Sequence, residues 1–181
     1  MSKVQTAYVS LVALVSGLAL AIWGADLKGA NDQTFWFLIA FAVFVLKVFL
    51  DDFSHFATHA TAKVLARGFW FAIGMWMLFL VIMGVALSDL TEAVFLMLAV
   101  VVIGTLWLAL NHVGVAASDA KDLFRQRGWM VTNFLYILLL AGHLAFAKTL
   151  LTAHPKAVFL ALGIIVVIDA FVFGTVERLT A

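Results

Sequence analysis

Six apolar stretches, each about long enough to cross a bilayer, dictate what this chain can become. They run from about Ala7 to Ala25, Thr34 to Leu50, Gly68 to Leu87, Ala93 to Val113, Trp129 to Ala147 and Lys156 to Val176. A helix rises about 1.5 Å per residue, so ~20 apolar residues cover a hydrocarbon core of about 30 Å. Inside lipid, every backbone N–H and C=O must be satisfied within the protein, which leaves helices and closed barrels as the spanning structures. None of the stretches alternates with period two. The single proline, Pro155, stands at the start of the sixth, where a missing N–H is tolerated. The sequence therefore predicts an all-α fold: a polytopic integral membrane helical bundle of six transmembrane helices.

Composition supports the same class. Hydrophobic residues make up 66% of the 181 and charged residues 12%, against about 45–50% and about 25% in soluble domains. Six crossings leave too few residues for a second domain, so a single transmembrane domain over 1–181 is expected. The absence of cysteine removes disulfides, thiolate metal sites, iron–sulfur clusters and thiol catalysis together. A net charge of +1 gives no basic surface for nucleic acid. The apolar run after Lys3 is longer than that of a usual secretory signal, and it is expected to remain as the first span. No phosphate-binding glycine loop, nucleophile elbow or zinc-protease His-Glu motif occurs.

Basic residues in the connections set an orientation. With the N-terminus inside, the cytoplasmic side carries seven, Lys3, Lys63, Arg67, Lys121, Arg125, Arg127 and Arg178, and the outer side three, Lys28, Lys148 and Lys156. Both termini are thus expected inside, in a bacterial inner membrane. The longer cytoplasmic connections, around 51–67 and 114–128, are expected to extend the second and fourth helices beyond the membrane.

An internal repeat subdivides the six stretches. Ala62-Lys63-Val64-Leu65-Ala66-Arg67 is echoed by Ala120-Lys121-Asp122-Leu123-Phe124-Arg125, 58 residues on. Phe37-Leu38 precedes Phe95-Leu96 by the same 58, and Ala93-Val94-Phe95-Leu96 returns as Ala157-Val158-Phe159-Leu160 at an offset of 64. Three sequential helical hairpins follow, covering about 5–60, 61–118 and 119–181, all repeated in the same direction.

Polar residues within the apolar stretches are where function is sought, because an ionisable group at the bilayer centre costs about 2.5–3.5 kcal/mol on insertion scales. Lys47, Thr105 and Asp169 are equivalent on the repeat offsets and belong to even-numbered spans. Those helices are expected to meet with Lys47 and Asp169 paired around Thr105, either as a lock on the bundle or as the polar centre of a transport path. Lys47 could alternatively pair with Asp51, one turn on.

A second cluster lies at the inner end of the second span. Asp51, His55 and His59 fall four residues apart on one helix face, Asp52 lies beside them, and His112 comes from the inner end of the fourth span. Imidazole nitrogens with a carboxylate suit a divalent metal, and His112 with His55 or His59 suits a haem between helices. The competing reading is a solvated helix end. A third feature, Ala13, Gly17 and Ala21, places small residues on one face of the first span, a surface for close packing with a partner membrane subunit or another copy in a homo-oligomer.

Three functions are expected from these features. The leading one is membrane transport by a small channel or carrier for an ion, proton or small solute, using Lys47, Thr105 and Asp169. The second is a membrane-embedded metal or haem protein, an enzyme or a redox-complex subunit, using Asp51, His55, His59 and His112. The third is a non-catalytic accessory subunit of a larger membrane complex.

Overall fold

The computed structural model describes residues 30–58, 62–114, 120–146 and 155–172, with scattered positions between 6 and 17. Side chains are described except at 50–58, 62–69, 111–114, 120–126 and the single positions 72, 155 and 170. Five helices are present among these residues: α1 Asp32–Thr58, α2 Ala62–Ser88, α3 Leu90–Gly114, α4 Ala120–Phe146 and α5 Pro155–Val172. They correspond to the second to sixth apolar stretches. Among the described residues three segments are long and apolar enough to cross a membrane, Asp32–Phe49, Leu90–Leu110 and Arg127–Phe146, and Ile73–Ser88 is a shorter apolar helical run.

Local chemistry fixes where the helices begin. Asn31 caps α1, its Oδ1 accepting from Thr34 N–H at 2.9 Å, and Asp89 caps α3 by accepting from Glu92 N–H at 3.0 Å. Asp89 alone separates α2 from α3. Its own N–H donates to Val85 C=O at 2.7 Å, closing α2, while its C=O accepts from Ala93 N–H, opening α3. One residue thus serves both helices. The chain reverses there, and Phe71 stacks on Trp107 with ring centroids 4.4 Å apart, each eighteen residues from Asp89.

Three of the helices reach well past the apolar stretches, α2 among them, which begins at Ala62. α1 continues to Thr58, as expected for the second stretch. At the other long connection α4 begins at Ala120, and α3 is described to Gly114.

The helices pack in a ring: each contacts its neighbours in sequence, and α1 closes on α5. The most extensive interfaces are α3 with α4 and α1 with α5, both of which join different members of the expected hairpins. Phe37 of α1 meets Phe159 of α5 at 5.5 Å, Asp32 pairs with Lys156 at one end, and Lys47 pairs with Asp169 toward the other. Rising numbers match rising numbers, so α1 and α5 run parallel. Contacts of Phe41 and Phe44 with Phe79, and of Phe49 with Trp76, make α2 antiparallel to α1.

The interior is aromatic. Phe37, Phe41, Phe79, Phe159 and Tyr136 are all at most 1% exposed. The outward faces carry Phe95, Ile103, Leu106 and Leu110 on α3, Val131, Phe134 and Leu138 on α4, and Leu160, Ile164, Ile168 and Phe171 on α5. Only 28% of Leu90–Leu110 is buried inside the chain. A helix apolar all round, exposed on most of its surface, is suited to lipid as its outer solvent.

Candidate functional site

The inward stripe of α5 reads Phe159, Leu162, Val166 and Asp169, at spacings of three, four and three, and each residue is at most 2% exposed. The facing stripe of α1 reads Phe37, Ala40, Phe44 and Lys47, with the same spacings. Asp169 and Lys47 therefore continue stripes that are otherwise apolar. Helical geometry brings them inward, and the parallel packing of α1 on α5 brings them together.

Lys47 Nζ lies 2.5 Å from Asp169 Oδ2, with the two side chains 11% and 1% exposed. Asp169 Oδ1 accepts a hydrogen bond of 2.7 Å from Thr132 Oγ1 on α4. The Lys47 ammonium also stands 5.3 Å from the centroid of the Trp129 ring, whose face attracts a cation. Three helices thus converge on one carboxylate. Its charge is held by an ammonium and a hydroxyl, and the ammonium by a carboxylate and an indole face, which together offset the insertion cost of each ion.

Farther along α4, Tyr136 O–H donates to Leu162 C=O on α5 at 2.7 Å, with the Tyr136 ring fully buried. The tyrosine ring sits 5.3 Å from Phe44, linking α4 to α1 across the interior. His143, 8% exposed, packs its ring 5.1 Å from Phe159. Among the described residues its Nδ1 has no hydrogen-bond partner. Thr132, Tyr136 and His143 fall on one face of α4, with Leu140 completing the stripe.

Thr105 stands elsewhere. Its hydroxyl donates to Val101 C=O of its own helix at 2.7 Å, and α3 packs chiefly on α2 and α4. The hydroxyl bonded to the Asp169 carboxylate is that of Thr132. Repeat equivalence conveys depth along the helix but not adjacency in the ring. Thr132 and Tyr136 were legible as hydroxyl residues four apart on an apolar helix, the spacing that puts both on one face.

Comparison with known proteins finds no match to a family model, a curated protein or a solved structure. The site must be read from its own chemistry.

The second cluster lies beyond what the site geometry reaches. Asp51, Asp52, His55 and His112 are on helices, but their side chains, and the whole of His59, lie outside the described residues. Among the described residues no group of three or more His, Asp or Glu side chains is placed to hold a metal. Of the small-residue face, Ala13 and Gly17 are exposed helical positions and Ala21 lies outside the described residues. A Cβ added at Gly17 would meet nothing within 4 Å.

Proposed function

We propose that this chain is a membrane transport protein, a small channel or carrier for an ion, a proton or a small solute, working through the Lys47–Asp169 pair with Thr132. The observation that carries the reading is an ion pair 11% and 1% exposed, set among helices whose outer faces are apolar. Well-packed apolar residues hold a bundle together as well as a buried ion pair does, and often better. Paired intramembrane charges facing a bundle interior are the usual mark of an ion or substrate pathway. The reading takes the chain as six spans with both termini inside, in the inner membrane of a bacterium, with the Asp51 to His59 helix end at the cytoplasmic mouth.

One observation favours a second reading. Ala13, Leu14 and Gly17 are exposed helical positions of the first apolar stretch, Leu14 by 63%, and a small-residue face of this kind suits a partner helix. An accessory subunit, docked through that face to another membrane protein or to a second copy, would leave it in this state.

The test is flux. The purified protein in liposomes is assayed for dissipation of proton, Na⁺ and K⁺ gradients and for small-solute swelling, beside Lys47→Leu/Asp169→Leu. Flux in the native protein, lost in a double variant that keeps its helix content, supports the reading. Equal flux in the variant removes the pair from the path, and no flux of any kind in the native protein overturns transport and leaves the accessory role.

A further inference from the structure

We propose that the species moved is the proton, relayed along the inward face of α4 between His143 and the Asp169 carboxylate; this rests on the transport reading above and narrows it to one substrate. Thr132, Tyr136 and His143 are 6%, 0% and 8% exposed, and each meets α5: at the Asp169 carboxylate, the Leu162 carbonyl and the Phe159 ring. From Thr132 to His143 the helix rises roughly 16 Å, about half the hydrocarbon thickness. A single buried face therefore carries protic groups over much of the barrier.

The surroundings select against larger cargo. Phe37, Phe44 and Phe159 crowd the seam, with Phe44 5.3 Å from the Tyr136 ring and Phe159 5.1 Å from His143. A desolvated hard cation needs about six or more oxygen ligands. Among the described side chains the seam offers the Asp169 carboxylate and the Thr132 and Tyr136 hydroxyls, and one carboxylate oxygen already faces Lys47. A proton needs only groups that both donate and accept, as hydroxyls and imidazole do. Among the described side chains the ionisable groups facing this seam are Lys47 from α1, Tyr136 and His143 from α4 and Asp169 from α5. Residues 70–88 of α2 contain none, and Glu92, the one in residues 90–110 of α3, is exposed in the first turn.

The steps balance without any redox partner. Hydronium gives a proton to His143 Nδ1, and the imidazolium releases its Nε2 proton to water that enters the seam past Leu140 and carries it to Tyr136. The Tyr136 O–H turns from the Leu162 carbonyl, its oxygen accepts a proton, and its own proton passes through entering water to Thr132 Oγ1. Thr132 accepts that proton as its existing one moves to Asp169 Oδ1. The neutral Asp169 then loosens its hold on Lys47, and when the ammonium returns the carboxyl proton leaves to water on the far side.

Proteoliposomes with a trapped pH dye and a K⁺ diffusion potential provide the test, with ²²Na⁺, ⁸⁶Rb⁺ and glycerol swelling measured on the same preparation. Proton flux is expected, with the other three at the empty-vesicle baseline. Tyr136→Phe and Thr132→Val are expected to slow proton flux at least tenfold, Thr132→Ser to restore it, and Thr105→Val to leave it unchanged. If Thr132→Val does not fold, Tyr136→Phe and Thr132→Ser carry the comparison. Proton flux indifferent to Tyr136→Phe, or Na⁺, Rb⁺ or glycerol flux in place of it, overturns the proton relay while leaving transport standing. Silence in every arm overturns both.

Discussion

Lys47 and Asp169 occupy the same position on two parallel helices, each ten residues after a buried phenylalanine, Phe37 and Phe159, whose rings meet at 5.5 Å. Parallel packing of the two helices thus places opposite charges at one level and lets them neutralise each other. Breaking such a pair leaves an uncompensated buried charge, at a cost of about 3–5 kcal/mol, whereas removing both partners can be neutral. Lys47→Leu and Asp169→Leu are each expected to lower unfolding free energy in detergent by roughly that amount. The double variant should recover most of it. A double variant as unstable as the sum of the singles would show that the two side chains stabilise the bundle independently.

Thr132 and Thr105 provide a matched contrast. The first donates to a buried carboxylate, the second to a carbonyl of its own helix. A hydrogen bond to a charged group contributes about 1.5–3 kcal/mol, and a back-bonded threonine contributes little. Thr132→Val should therefore destabilise by about 1.5–3 kcal/mol, with Thr132→Ser restoring most of the loss. Thr105→Val should fall within about 0.5 kcal/mol of the native protein. Equal effects at the two sites in urea or SDS unfolding would remove Thr132 from the charged centre.

These two threonines also mark how far the sequence could be read. Helical class, approximate helix positions and the Lys47–Asp169 encounter were legible, because apolar length and intramembrane charge are strong local signals. Between α1 and α5 the repeat offset coincides with two meetings, Phe37 with Phe159 and Lys47 with Asp169. On α3 Phe95 points outward at 59% exposure and Thr105 donates to its own backbone. Which helix neighbours which is decided by side-chain packing between non-adjacent segments, and in lipid no hydrophobic difference between inner and outer faces announces it. α3 is apolar on every side, so its rotation was not written in its pattern. The hydroxyls of α4 were visible, but their partner helix was not.

The outer pair, Asp32 with Lys156 at 3.0 Å, is a control for the inner one. Its side chains are 78% and 57% exposed, so water and salt screen it and its contribution is about 0–1 kcal/mol. Asp32→Asn should change stability by less than about 1 kcal/mol. The small difference should vanish in high salt. Loss comparable to that of Asp169→Leu would mean that the helix ends, rather than the inner centre, hold α1 against α5.

The same two exposed positions report the closure of the ring. The chain contains no cysteine, so introduced pairs react without background. Asp32 and Lys156 lie at the starts of parallel helices and touch, whereas Arg127 lies on α4 beyond Thr132, at the end where Asp169 sits. A helix rising about 1.5 Å per residue separates Asp32 from the level of Lys47 by roughly 22 Å. Asp32→Cys/Lys156→Cys is therefore expected to cross-link rapidly with a short bismaleimide in native membranes, and Asp32→Cys/Arg127→Cys not at all. A membrane-impermeant maleimide should label Asp32→Cys and Lys156→Cys from one side and Arg127→Cys from the other. Efficient cross-linking in the Asp32→Cys/Arg127→Cys variant would place α1 antiparallel to α5, and the Lys47–Asp169 centre could not then form.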